Sequence, residues 1–240
     1  MTALAADWFS LSPDAVVQLQ HIGQEQVPVL VIDNAAADLQ LLRDFAVDQA
    51  QFQDDVHSYY PGVRASLPKE YVIGVLSALY GYLQQAYSLP AQLRLQPKDL
   101  YYSLITRQPA ELSMLQRLPH FDATSPYYFA LVHYLADGAH GGTGFFTHLP
   151  TGFQRILPSR EASYLQSAQG YIAQHGQPNA NYPTESDGHF ALYHQIAYKP
   201  NRLLLYPGNL LHSALVDPAN DICSDPATGR LTSNIFMLFA

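Results

Sequence analysis

The chain has 240 residues and a formal net charge of −8, from 12 Lys plus Arg against 20 Asp plus Glu. That acidic balance leaves no basic stripe to neutralise phosphates, which excludes nucleic acid as the main partner, and 48% hydrophobic residues exclude a disordered chain. Charged residues make up only 13% of the chain, while 17 Tyr, 11 Phe and 10 His are present.

The single cysteine, Cys223, permits neither an intrachain disulfide nor a CxxC metal site. Its polar neighbours Asp221, Ser224 and Asp225 mark it as an incidental loop thiol. Met1–Asp7 has no basic start and no apolar stretch of the kind a signal peptide needs. No run reaches the ~18 apolar residues of a membrane span. A cytoplasmic protein without membrane contact is expected.

In chain order, residues 15–33 read as a hairpin, rich in β-branched residues and turned at Gly23. Leu39, Leu41, Leu42, Phe45 and Ala46 predict a helix over about 36–52. Residues 53–68 read as loop, including the aromatic stretch Tyr59-Tyr60-Pro61-Gly62-Val63-Arg64, which has one cation and could either cover a pocket or lie on the surface. A second helix is predicted from Glu70 to about Tyr87, closed soon after by Pro90. From there the chain breaks into short β-like runs: 93–95, 100–106, 127–135, 144–148, 202–206 and 231–239. Such a series suggests a sandwich or barrel. One further helix is expected from a Ser159 cap to near Gly176, followed by a polar loop over 177–188.

Three signals carry chemistry. In Pro119-His120-Phe121-Asp122, a His and an Asp two residues apart on extended chain point to the same side and can meet one metal ion. A surface turn is the plain alternative. In Tyr206-Pro207-Gly208-Asn209-Leu210-Leu211-His212, a strand and a Pro-Gly turn deliver a second His. Two His and one carboxylate form a facial triad suited to Fe(II), with open positions beside it. A histidine satisfied within the core is the alternative for His212. Third, Arg230 opens the otherwise uncharged last strand. Its planar fork suits a carboxylic acid. The alternatives are an arginine in water, or one paired with Asp217, Asp221 or Asp225. Between these signals lie the strand Phe129–Leu135 and Gly141-Gly142-Thr143-Gly144-Phe145-Phe146, where the double glycine allows a sharp turn or a close approach.

In order, His-x-Asp, strand, Gly-Gly-x-x-Phe, Pro-Gly-x-x-x-His and a late Arg resemble the Fe(II)/2-oxoglutarate-dependent dioxygenase superfamily. The nearest style is its prolyl-hydroxylase-like branch, and within it an uncharacterised bacterial subfamily. The resemblance covers roughly 98–240, with an apparent insertion about 149–199. It implies a mostly β fold with α: a double-stranded β-helix (jelly roll, cupin-like) with helices of the N-terminal half packed on one sheet. The whole chain, 1–240, would be a single domain, with strands and supporting helices in 1–97 and the catalytic core in 98–240. It also implies that His120, Asp122 and His212 bind Fe(II), and that Arg230 binds the distal carboxylate of the co-substrate 2-oxoglutarate. Tyr134 and Thr232 would assist Arg230. The implied activity is hydroxylation of a small-molecule or peptide substrate with release of succinate and CO2. The sequence departs from the pattern in the 18 residues from His212 to Arg230 and in the insertion, which could form a lid or a homodimer contact. A non-catalytic jelly-roll binding module and a cupin-like metalloprotein that does not use 2-oxoglutarate are the rival readings. Of the remaining histidines, His133 and His148 are candidates for supporting hydrogen bonds to the site, and His140, His189 and His194 read as structural or surface groups.

Overall fold

The structure is a computed structural model, and it describes residues 8–55 and 58–240. Met1–Asp7, the segment without signal features, and Val56–His57 of the expected loop lie outside the described residues. The order of elements is β1 (Val16–Ile22), β2 (Val27–Asp33), α1 (Gln40–Asp48), β3 (Gln53–Asp54), β4 (Gly62–Ser66), α2 (Lys69–Tyr87), β5 (Leu95–Ile105), β6 (Tyr128–Tyr134), β7 (Thr143–His148), α3 (Glu161–His175), β8 (Phe190–Ile196), β9 (Leu203–Pro207), β10 (His212–Ala214) and β11 (Thr232–Phe239). The strands form an eight-stranded sheet, β1-β2-β9-β6-β11-β5-β4-β3, and a three-stranded sheet, β10-β7-β8. Every pairing between these strands is antiparallel.

Side-chain alternation builds three layers. On β2, β9 and β6, Leu30, Ile32, Leu203, Leu205, Phe129 and Leu131 face one way and join Tyr71, Val75, Leu79 and Leu83 of α2 in the main core. Their strand neighbours Val29, Val31, Leu204, Tyr206 and Ala130 face the other way and pack on Phe145 of β7 and Ile196 of β8. The large sheet therefore has a helix face and a cleft face, and the small sheet lies across the cleft face. Each fully buried Leu or Val contributes about 1.5–3 kcal/mol of transfer free energy, so α2 is held mainly by this face. Among the described residues, no helix is long and apolar enough to cross a membrane.

Several expected elements differ in detail. Helix α1 is shorter than 36–52: Ala36 is extended, bridged to Leu11 and tied to Asn201, so the helix begins only at Gln40. The stretch expected to be loop contains β3 and the five-residue β4, which pairs along β5 despite the Pro-Gly signal before it. Leu95 and the run at 100–106 are joined in β5, with a register slip just after Pro97. A proline lacks the N–H that the ladder needs there. Ser159 does not cap α3; Arg160 holds the N-cap position, without a side-chain bond. The apparent insertion supplies α3 and also β8, which pairs along the whole of β7.

Candidate metal centre

The triad is assembled by two loops and the start of β10. His120 and His212 exchange backbone hydrogen bonds of 2.9 and 2.8 Å, forming an isolated antiparallel bridge. The Asp122 N–H donates to Gly208 O at 2.7 Å, fixing the carboxylate beside the Pro207-Gly208 turn. A Cβ on Gly208 would lie 2.7 Å from Tyr128 Cδ1 and 3.0 Å from Asp122 Oδ2, so only glycine lets the carboxylate come this close.

As a result the ligand atoms of His120, Asp122 and His212 all lie within 4.8 Å of one another, a group that could hold a metal ion. His120 Nε2 is 3.9 Å from Asp122 Oδ1, and His212 Nε2 is 3.8 Å from Asp122 Oδ2. His212 Nδ1 lies 2.8 Å from Leu210 O, an acceptor, so that nitrogen carries the proton and Nε2 presents a lone pair. Burial holds the His212 imidazole down to about 4, which keeps it neutral near pH 7. His120 is lowered as well, by desolvation and by His212. Burial pushes the Asp122 carboxyl up to about 6, opposed by His120 and Arg64. Asp122 Oδ2 is buried and has no hydrogen-bond partner among the described residues. Lone pairs converging on an orphaned carboxylate oxygen repel one another unless a cation lies between them, so the donor set fits a divalent metal.

Arg230 precedes β11 and is 4% exposed. Its Nε donates to Gly141 O at 2.8 Å and its Nη2 to Gly142 O at 3.3 Å. No carboxylate lies within ion-pair distance of it among the described residues. None of the three aspartates considered as its partners takes that place. Asp221 instead accepts from His140 Nδ1 at 2.9 Å and from the N–H groups of Gly141 and Asp217. The guanidinium lies 5.6 Å from the Tyr134 ring and 5.9 Å from the Tyr198 ring. Tyr134 Oη and Thr143 Oγ1 are 2.8 Å apart, and Thr232 Oγ1 donates to Asn234 Oδ1 at 3.1 Å. The Tyr206 ring lies 4.9 Å from the His212 ring, and the β10–β7 ladder runs from His212, opposite Phe145, to Ala214, opposite Thr143, next to the Gly141 and Gly142 carbonyls that hold Arg230, so the triad and the guanidinium lie along one cleft.

The double glycine serves close backbone packing: a Cβ on Gly141 would collide with Leu215 O and one on Gly142 with Ile196 O. His133 lies on the helix face, bonded to Tyr71 and Asn201, and His148 bonds Thr151 and His189, so neither supports the triad. Arg202 pairs with Asp33. The His140–Asp221 pair was missed because its members are 81 residues apart, and the steric role of Gly208 was hidden inside an ordinary turn signal.

Fold and site define a mostly β protein of two antiparallel sheets that brings together a His-Asp-His group able to hold a metal ion. The chain belongs to DUF6445, a family of unknown function, whose model matches residues 13–237. No curated protein is significantly similar to it in sequence. Among solved structures it is similar to an N-substituted L-amino acid dioxygenase from Burkholderia ambifaria AMMD, at 10% identity over 88% of this chain and 81% of that one, with a TM-score of 0.36. The same dioxygenase in complex with alpha-KG matches at 11% identity over 90% and 82% of the two chains, with a TM-score of 0.31.

Proposed function

We propose that the chain is an Fe(II)- and 2-oxoglutarate-dependent oxygenase that hydroxylates a small-molecule or peptide substrate with release of succinate and CO2. The observation that carries this reading is one cleft holding both an orphaned His-Asp-His donor set and a buried guanidinium with no carboxylate of its own. The two sheets would be the two faces of a double-stranded β-helix, formed as one domain. A core that mixes Leu30, Leu79, Leu104 and Ile235 supports the single domain. A cytoplasmic setting and a homodimer contact through 149–199 complete the reading.

His120, Asp122 and His212 would hold the iron, which when bound supplies the oxidising chemistry. Arg230 has five N–H groups and spends two on Gly141 and Gly142, leaving three for the distal carboxylate of the co-substrate. Tyr134 and Thr143 share one hydrogen bond, so the hydroxyl that accepts it keeps its own proton for the same carboxylate. Thr232 acts through Asn234. Phe145, Tyr206 and Leu210, buried between the sheets, exclude water from the inner end of the cleft.

The test is an anaerobic titration with Fe(II) and then 2-oxoglutarate, followed by the visible metal-to-ligand charge-transfer band. A saturable band is expected, with metal content lost in His212→Ala. Arg230→Met is expected to weaken 2-oxoglutarate at least tenfold. A folded, metal-loaded protein that gives no band would falsify the reading and favour a metalloprotein of another kind.

A further inference from the structure

Arg64, the one cation of the aromatic stretch Tyr59–Arg64, lies on β4 and is not spent on the triad or on the co-substrate. The sheet register carries it into the cleft. Arg64 is opposite Ser103 on β5, Ser103 is opposite Thr232 on β11, and Thr232 is opposite Tyr134 on β6. These four residues form one row on the cleft face. At about 4.8 Å between strands, the Arg64 backbone stands about 10 Å from that of Thr232. Its charge acts on His120, on Asp122 and on Tyr60, and Tyr60 also lies in the field of Arg230.

The guanidinium is held but not used up. It lies 4.2 Å over the Tyr60 ring and 5.0 Å from the Tyr101 ring. Nη1 donates to Asp55 at 2.7 Å and to Ser58 at 3.2 Å. Nε is buried and bonds to nothing among the described residues, and no described residue accepts from Nη2. The Nε–Nη2 edge is the one an arginine offers side-on to a carboxylate through two parallel bonds. A buried donor of a charged group left without a partner is costly, as Nε is here, so this edge fits an acceptor that no described residue supplies. The Tyr60 hydroxyl, buried near Ser103 without a well-formed bond to it, adds a second donor at the same place.

We propose that the Arg64 edge binds the carboxylate of the substrate, so that the substrate is a small organic acid with an apolar body. Arg230 then takes the co-substrate's acid and Arg64 the substrate's. The body of the acid lies against Tyr60, Tyr101 and Tyr128, aromatic side chains whose rings accept C–H and ring contacts. This assignment rests on the triad being the reacting centre.

The experiment compares phenylacetate with its neutral isostere phenylacetamide. Binding is followed by saturation-transfer NMR on Zn(II)-loaded protein saturated with 2-oxoglutarate, so that Arg230 is occupied. The acid is expected to bind at least tenfold more tightly than the amide. In Arg64→Met and Arg64→Gln that preference is expected to vanish, while the charge-transfer band of the Fe(II) form with 2-oxoglutarate stays unchanged. Equal binding of acid and amide overturns the proposal, as does acid binding that survives both substitutions. Displacement of the acid by 2-oxoglutarate also overturns it, since the anion would then belong to Arg230. A missing charge-transfer band with an intact, Arg64-dependent acid preference would instead count against the oxygenase reading and leave the anion site standing.

Discussion

At the scale of single residues, the site depends on one missing methyl group. An added Cβ at Gly208 meets both the Tyr128 ring and the Asp122 carboxylate, and it is the carboxylate that can rotate away. Gly208→Ala is therefore expected to lower metal affinity at least tenfold, measured by competition with a chelator, while the unfolding midpoint of the metal-free protein moves little. Unchanged metal affinity would show that Asp122 is not held by this contact. Protonation of the same carboxyl sets a pH limit. With Asp122 pushed up to about 6, a proton competes with the metal below that value, so affinity is expected to fall as pH drops from 7 to 5. The ligand candidates were legible in the sequence because their chemistry is local: His-x-Asp and Pro-Gly-x-x-x-His are short spacings. Arg64 was legible only as a cation in an aromatic loop. Its direction comes from β4, a strand that its turn-rich flank concealed.

Elements decide whether Arg230 is aimed correctly. The carbonyls that hold it belong to Gly141 and Gly142, and that backbone is tied to Asp221. Asp221 is fully buried and accepts from three donors, at His140, Gly141 and Asp217. Asp221→Asn replaces one acceptor oxygen by an NH2 group that faces an N–H. This is expected to cost about 1–3 kcal/mol of stability. It is also expected to raise the 2-oxoglutarate concentration needed for half the charge-transfer band, with metal affinity unchanged. Equal loss of metal and co-substrate binding would indicate general damage to the cleft. Nothing in the sequence joins His140 to Asp221, since the chain between them runs through β7, α3, β8, β9 and β10. The helices and the main strands were legible because their periodicity is strong. Strand β8 was not, because Phe190–Ile196 mixes His, Gln and Tyr at one edge of the small sheet.

For the whole molecule, the layering leaves histidines in places where they cannot easily take a proton. His133 has no exposed surface on the helix face of the large sheet. Its Nε2 lies 3.0 Å from Asn201 Oδ1, which can only accept, so Nδ1 must accept from the Tyr71 hydroxyl at 2.9 Å. Tyr71 Oη is in turn 2.8 Å from Ser233 Oγ, which closes a network between α2, β6 and β11 around a neutral imidazole. Burial lowers His133 to about 4, and His148, paired with His189, is likewise lowered to about 4. The unfolded chain binds these protons below about 6.5 and the folded one only below about 4, so stability is present above 6.5 and is lost as pH falls through that window. Each buried imidazole accounts for roughly 2 kcal/mol between pH 7 and 5. In the metal-free triad His120 and His212 act in the same direction, while Asp122, raised to about 6, returns part of the loss. Denaturant unfolding of the metal-free protein is therefore expected to show a loss of about 4 kcal/mol or more between pH 7 and 5. Tyr71→Phe separates the helix-face network from the triad. It removes the hydroxyl that donates to His133 Nδ1, so it is expected to destabilise the protein by about 1–3 kcal/mol at pH 7. A protonated ring can donate toward Ser233 instead, so the deficit is expected to narrow toward pH 5. A deficit that stays constant across that range would show that burial alone, without the Tyr71 bond, keeps the ring neutral down to pH 5.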